Sequence, residues 1–460
     1  MKTIICGSGD VGYSIADKLS KEKFEVTVVD EPSEKLNKIS DNLDVKVVKG
    51  LPSLPSVLMN AGAKDCEILI AVTKSDETNM IACQIGHSLF EIPKKIARIR
   101  QQDYLRGEWQ NLYTKNDLPI DAIISPEQEV ANAFHRRIIS PGTIDMVELS
   151  EKQLKLIGFK CDNNCHHIGL TVRELSAKFP DYLANILFIF RGDKKFIVNS
   201  SSKIEKDDLI YMVVETQNLK DVLREFGHKE VLAQKIVIIG GGNIGFSLAE
   251  LIEKNDNGIS TELIEMNKER AEFIASNLNN VTVTNGDGLD NQILDEVNIA
   301  EAGYCLAVTE DDEVNVLASL LAKRAGTNQC MALINNSSYT SLLSNIGIDI
   351  TIDPKLITIS KILEKVRGGG IMSDYSLGDG FGEVIEAMIK KQSPLCNKNL
   401  KELNLPKSIR IASILRDNKI IIPNSNTVFK ENDDVVFFLV IQYINTLEKL
   451  LSSYSFMPNL

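Results

Sequence analysis

The chain has 460 residues, 43% apolar and 25% charged, which gives enough apolar material for several cores and suggests about three domains. Its 63 acidic and 51 basic side chains leave a net charge of −12, arguing against broad electrostatic attraction to nucleic acid or to an anionic lipid surface. No apolar run approaches the roughly 20 residues of a membrane helix, and no signal peptide is expected, because Met1-Lys2 leads straight into a strand-like segment.

In chain order, the first segment is "IICGSGDVGYSIADKL", an apolar strand, a glycine turn and an amphipathic run. In the turn Gly7-Ser8-Gly9-Asp10-Val11-Gly12, Gly7 permits the bend after the strand and Gly9 lets backbone approach a pyrophosphate. Gly12 lets the helix pack on the sheet, and the helix start offers free N–H groups to phosphate. Strands are expected at Thr3–Cys6, Glu25–Val29, Val45–Val48, Ile68–Val72, Ile96–Ile99 and Ala122–Ile124, with helical segments between them. This is the rhythm of a doubly wound parallel sheet whose strands are buried on both faces.

Asp30 ends the second strand 18 residues after Gly12, where a carboxylate can accept from ribose hydroxyls and repel a 2′-phosphate. Leu51 and Pro52 end the third strand, beside the adenine position. Thr73 ends the fourth, where its hydroxyl could touch a ligand or cap the helix that begins "SDETN". Arg98 in "IARIR" could reach a phosphate. Ser125-Pro126 then supplies a helix start, with proline at its first position.

A second module, 144–228, has short alternating strands, a turn at "RGDKKF" and a terminal amphipathic helix, and reads as a small α+β domain. Within it "CDNNCHH" gathers Cys161, Cys165, His166 and His167. Its spacing lacks the second ligand pair of a zinc knuckle, so no metal site is expected. The other cysteines mostly lie in apolar runs, as reduced core thiols do.

The chain then repeats itself. "KIVIIGGGNIGFSLAELI" carries Gly240-Gly241-Gly242-Asn243-Ile244-Gly245, and Glu265 ends the next strand 20 residues after Gly245. "YCLAVTEDDEVN" matches "ILIAVTKSDETN" and places Thr309 opposite Thr73. "TIDPKLITISKILEKVRGGG" matches "IISPEQEVANAFHRRIISPG", and "LRDNKIIIPNSNTVFKENDDVVFF" matches "FRGDKKFIVNSSSKIEKDDLIYMV". Four matches in the same order indicate a tandem duplication of whole domains, since a solenoid repeats every 20–50 residues or so. The copies differ at the site: Asp287 stands where the first has Leu51, and Leu333 where it has Arg98.

The expected fold is therefore α/β, two tandem Rossmann-type doubly wound parallel sheets, each followed by a small α+β subdomain. The boundaries read as 1–124, a connecting helix 125–143, then 144–228, and in the second half 234–349, a connecting helix 350–369, then 370–453. A dehydrogenase would also need a proton-handling group. There is no Tyr-x-x-x-Lys pair, no Gly-x-x-x-x-Gly-Lys phosphate loop, and no obvious carboxylate partner for His228 in its motif, while His87 and His135 fall in helical segments. Two nucleotide folds without such groups point to sensing, so no catalytic residue is expected.

The two glycine turns, "AVTKSDETNMIACQI", "IARIR", "ISPEQ" and the small α+β module together resemble the TrkA family over nearly the whole chain. These are regulatory subunits of Trk potassium-uptake systems, built from "regulator of K⁺ conductance" (RCK) domains. The resemblance implies binding of NAD(H), and in some members of ATP or ADP, at Gly7–Val11, Asp30, Thr73 and Arg98 and at Gly240–Ile244 and Glu265. It also implies a homotetrameric ring of eight lobes beneath a TrkH/TrkG-type membrane pore protein, hence a cytoplasmic location at the inner face of the membrane. Leu51-Pro52 sets the adenine contacts of the first lobe apart, and Leu333 removes a phosphate clamp from the second. The first lobe, keeping Asp30 and Arg98, is expected to prefer NAD(H), and the second another adenine nucleotide. The alternatives are an NAD-dependent oxidoreductase, or the regulatory ring of a different cation transporter.

Overall fold

The computed structural model describes residues 1–114, 116–178, 184–192, 194–228, 234–255, 258–336, 343, 346–366, 371–377, 381–403, 405–406 and 408–451. Parts of the expected second connecting helix (367–369) and of the last module (370, 378–380, 404, 407 and 452–453) lie outside them. The chain forms two compact units. One joins 1–135 with 233–366, and the other joins 136–232 with 367–460.

The first unit holds two Rossmann-type lobes. In the first, β1 (Lys2–Cys6), β2 (Glu25–Asp30), β3 (Lys46–Lys49), β4 (Ile68–Ala71), β5 (Lys94–Arg98) and β6 (Ala122–Ile124) form one parallel sheet. Its order is β3-β2-β1-β4-β5-β6. Helices α1 (Asp10–Lys21), α2 (Glu34–Asn42), α3 (Pro55–Asn60) and α4 (Asp76–Ser88) make the crossovers, and α5 (Pro126–Ile138) leaves the last strand. Strand order reverses between β1 and β4, which opens a crevice at their carboxyl ends, where ligands of doubly wound sheets bind. The central strands are apolar throughout because helices cover both faces; Ile4, Ile5, Ile68 and Ile70 are all buried.

The second lobe repeats the order, with β12 (Lys235–Ile239), β13 (Ser260–Glu265), β14 (Val281–Asn285), β15 (Tyr304–Ala307), β16 (Gln329–Leu333) and β17 (Ile350–Ile352) as β14-β13-β12-β15-β16-β17. Its helices include α8 (Asn243–Asn255), α9 (Lys268–Asn277), α10 (Asn291–Glu296) and α11 (Asp312–Ala325), followed by α12 (Pro354–Val366). The Asp353 carboxylate caps α12, accepting from Lys355 N at 2.8 Å and Leu356 N at 3.2 Å. The apolar side of α12 (Ile359, Ile362, Leu363, Val366) belongs to the core of the first lobe, with Ile15, Leu19 and Ile124.

The second unit contains two antiparallel five-stranded sheets. One is β10-β9-β11-β8-β7, from β7 (Asp145–Leu149), β8 (Leu154–Lys160), β9 (Ala184–Arg191), β10 (Lys194–Ile197) and β11 (Leu209–Glu215). It carries α6 (Val172–Lys178) and α7 (Leu219–Glu225). The other is β18-β19-β22-β20-β21, from β18 (Ile371–Leu377), β19 (Gly382–Met388), β20 (Ile409–Arg416), β21 (Lys419–Ile421) and β22 (Asp434–Val440), with α13 (Leu400–Leu403) and α14 (Ile444–Leu451). Phe188 stacks on Phe438 with ring centroids 4.6 Å apart, inside an apolar cluster drawn from both sheets. The duplication persists in side-chain detail. Arg191 grips the buried Asp208 at 2.7 and 2.8 Å, and Arg416 grips the buried Asp433 at the same two distances. No helix among the described residues is long and apolar enough to cross a membrane.

Candidate functional site

Each crevice is built around its glycine turn. Gly7 takes φ +120°, and a Cβ there would lie 3.0 Å from the Val72 carbonyl group. Gly12 is enforced more strongly, since its Cβ would sit 2.0 Å from the Gly7 oxygen. In the second lobe Gly240 takes φ +107°, and a Cβ on Gly245 would sit 1.9 Å from the Gly240 oxygen. Both turns thus press the first helical turn against the strand end. Gly9 and Gly242 behave differently, with no atom within 4 Å of an added Cβ, so both face open space. Gly9 is also the N-cap of α1, and no side chain caps it. The helix start therefore presents its N–H groups and positive dipole end into that space, as a phosphate site requires.

The acids grip the turns. Asp30 Oδ2 accepts from Ser8 N and Ser8 Oγ, both at 2.6 Å, and its Oδ1 from Glu31 N at 2.8 Å. Glu265 Oε2 accepts from Gly241 N at 2.7 Å, and its Oε1 from Asn267 N at 2.7 Å. The longer glutamate reaches the same backbone position without help from a hydroxyl, since residue 241 is glycine. Asp10, at the first turn of α1, pairs with Lys355 at 3.1 Å and Lys35 at 3.6 Å. The hydrogen bond from Lys355 holds its carboxyl below the usual aspartate range.

Neither Thr73 nor Thr309 caps the helix that follows it. The caps of the following helices are Ser75, accepting from Thr78 N at 3.0 Å, and Asp311, accepting from Val314 N at 2.9 Å. The threonines instead bind two buried amides that sequence reasoning passed over. Asn79 Oδ1 accepts from Thr73 N at 2.8 Å and Thr73 Oγ1 at 2.7 Å, while its Nδ2 donates to Thr73 O at 3.2 Å and Arg98 O at 2.9 Å. Asn315 repeats this with Thr309 N (2.8 Å), Thr309 Oγ1 (2.7 Å), Thr309 O (3.0 Å) and Leu333 O (2.9 Å). Each amide locks the fourth strand end to the fifth, beside the glycine turn. The available signal was the asparagine that closes both "SDETN" and "DDEVN".

The cations differ between lobes. Arg98 donates from Nη2 to Thr73 O at 2.8 Å, while its buried Nε has no hydrogen-bond partner. An orphaned guanidinium donor at the crevice suits an anionic occupant. Burial, then the nearby Arg100, lowers the Arg98 pKa. Leu333 is buried at the equivalent strand end. The second lobe recruits another cation, missed in the sequence: Arg270 of α9 donates to Gly241 O at 2.7 Å and lies over the rings of Phe246 (5.5 Å) and Phe273 (5.0 Å). At the third strand ends, Leu51 is partly exposed, accepting from Leu54 N at 3.0 Å through its carbonyl, and leads into Pro52. Asp287 is exposed and accepts from Leu289 N at 2.9 Å, bracing its own loop. Among the described residues no three His, Cys, Asp or Glu side chains gather as a metal site.

The TrkA-N domain family matches residues 3–126 and again 236–354, and the TrkA-C domain family matches 384–452. The chain belongs to the TrkA family. It is 40% identical to the Trk system potassium uptake protein TrkA of Azorhizobium caulinodans over 98% of both chains. It is 35% identical to the TrkA of Vibrio alginolyticus, over 99% of this chain and all of that one. Among solved structures, the GsuK channel bound to NAD superposes with a TM-score of 0.61 at 16% identity, covering 98% of this chain and 78% of that one. The TrkA-N matches contain both glycine turns and both acids, and they make the Rossmann-type assignment of each lobe a family property.

Proposed function

We propose that this TrkA-family chain is a nucleotide-sensing regulatory subunit of a Trk-type potassium-uptake system. Its two crevices bind NAD(H) and adenosine nucleotides, and its occupancy gates potassium flux through a TrkH/TrkG-type membrane pore protein. The observation that carries the reading is the repeated pairing of a gripped strand-end acid with an open glycine position at a topological switch point. In this reading Gly7–Gly12 and Gly240–Gly245 receive the pyrophosphate, while Asp30 and Glu265 exchange part of their bonds to the turn for ribose hydroxyls. Leu51-Pro52 and Asp287 flank the adenine, and Arg98 neutralises phosphate in the first lobe. Thr73 and Thr309 hold the crevice wall. The NAD-bound GsuK channel, with a similar fold, supports a dinucleotide as occupant.

No proton-handling group is assigned, so the chain acts by binding rather than catalysis. A ligand gates only through unequal affinity for the two states of a ring. A homotetramer of eight lobes, cytoplasmic and peripheral to the membrane through its pore partner, would supply those states. Because Arg98 faces one crevice and Arg270 the other, the first lobe prefers NAD(H) and the second an adenosine nucleotide such as ATP or ADP. Calorimetry on Asp30→Ala and Glu265→Ala proteins tests this. NADH affinity falls at least about tenfold in the first variant and little in the second, one tenfold step being worth about 1.4 kcal/mol. Equal losses in both would remove the asymmetry.

A further inference from the structure

The two Rossmann-type lobes repeat one sequence pattern, so each serves as a control for the other. Asp10 is the first residue of α1, directly after Gly9, which no side chain caps, and it is exposed beside the helix start. Two lysines reach its carboxylate from other elements, Lys355 of α12 at 3.1 Å and Lys35 of α2 at 3.6 Å. The match to Asp10 in the second glycine turn is Asn243, the first residue of α8, and α8 has no acid in its first turn. This fold does not require a carboxylate at that position.

Lys355 is placed just as selectively. It lies in the first turn of α12, where the positive end of the helix dipole disfavours a cation. In the matching helix α5 the same position holds Glu127, the favoured sign. Lys355 therefore opposes its own helix and is compensated by Asp10. Lys35 shares that disfavoured place in the first turn of α2, while its match in the second lobe, Arg270, donates to Gly241 O at 2.7 Å instead. Both partners of the Asp10–Lys355 pair thus change charge between the two halves.

We propose that Asp10 is the specificity-determining residue of the first crevice and turns away nucleotides that end in a free phosphate; this rests on the reading of the glycine turns as nucleotide sites. The diphosphate of NAD(H) is esterified at both ends, whereas ADP and ATP end in a free phosphate that carries further negative charge. Over the glycine turn that end would meet the start of α1, beside the Asp10 carboxylate, and like charges repel at such range. Lys355 and Lys35, held by Asp10, are not released to the phosphate. The hydrogen bond from Lys355 also keeps the Asp10 carboxyl below the usual aspartate range, so the repelling charge is in place at neutral pH. In the second crevice the neutral Asn243 presents no such charge, which leaves that site open to ADP or ATP. Because Lys355 belongs to the second half, the selectivity of the first crevice is tuned from the other lobe's helix.

The test is calorimetry of the full chain with NADH and with metal-free ATP, in a Gly242→Ala background that leaves only the first crevice. Asp10→Asn installs the second lobe's own residue and should raise the ratio of ATP to NADH affinity about tenfold, whereas Lys355→Met should lower it. Both changes break the same ion pair, so a merely structural contact would move the ratio the same way in both. In a Gly9→Ala background, which leaves only the second crevice, Asn243→Asp should lower the ratio about tenfold. A ratio that neither Asp10→Asn nor Asn243→Asp moves, or that Asp10→Asn and Lys355→Met shift alike, would overturn the proposal while NADH binding upheld the nucleotide sites. A wild-type chain that binds neither NADH nor ATP would overturn the nucleotide reading, and this proposal with it.

Discussion

Asn79 and Asn315 are fully buried amides, each making four hydrogen bonds that close the wall of a crevice. Asn79→Ala would orphan the Thr73 hydroxyl and several backbone groups at once, and should destabilise the first lobe by about 2–4 kcal/mol. Denaturant unfolding reads this directly, and a loss under about 0.5 kcal/mol would mean that water replaces the amide. Gly9 makes the opposite case. Its added methyl meets no atom, so Gly9→Ala should leave the unliganded melting temperature nearly unchanged while removing nucleotide binding in the first lobe. The glycines and strand-end acids were legible because a tight strand-to-helix turn, and a carboxylate that accepts from its backbone, demand particular residue types at particular spacings. Asn79 and Arg270 were not: a polar side chain on a helix reads as surface until tertiary structure places another strand end, or another turn, against it.

Whole elements were legible where apolar runs alternate with capped helices, as from β1 to β6. The wiring between sheets was not. In the last module Glu386 and Asp434 lie on adjacent strands β19 and β22 and are both buried. Glu386 accepts from the backbone N–H of Ser150 at 2.5 Å, in the turn joining β7 to β8. Burial, reinforced by the hydrogen bond and charge of Glu386, pushes the Asp434 carboxyl up to about 7, against a hydrogen bond from Ser150 and with the Glu151 charge adding to the rise. An unfolded aspartate titrates near 3.9, at about three units lower. The folded state therefore holds a proton that the unfolded chain releases, and the stabilisation present below pH 4 is lost as pH rises towards 7. Melting temperature should carry a component that falls between about pH 4 and 7, and Asp434→Asn should abolish it. An identical pH profile in that variant would contradict the shared proton. An alternating strand pattern gives no hint of this pair, because the two acids meet only once β19 and β22 align.

At the scale of the first unit, the two lobes are not independent beads. Helix α12 follows the last strand of the second lobe, yet it inserts Ile359, Ile362, Leu363 and Val366 into the core of the first, and Lys355 reaches Asp10 beside the first glycine turn. The duplication was readable from four matched segments. This exchange was not, since the pattern of α12 specifies an apolar face without saying whose core it enters. Ile362→Ala should cost about 2–4 kcal/mol and should raise hydrogen exchange in β1 and β4, which precede it by more than 250 residues. Exchange that rises only in the second lobe would contradict the packing.

The central claim is that both crevices are nucleotide sites set by the strand-end acids. The most direct test is the melting temperature of the full chain with NADH, NAD⁺, NADPH, ATP, ADP or no ligand, in the wild type and in Gly9→Ala and Gly242→Ala. Ligand at about a hundredfold above its Kd contributes about 2.7 kcal/mol to the folded state. The account predicts stabilisation by NADH and by ATP or ADP with NADPH weak, loss of the NADH response in Gly9→Ala, and loss of the adenosine-nucleotide response in Gly242→Ala. A wild-type chain whose melting temperature no nucleotide moves, or moves as far with NADPH as with NADH, would contradict it.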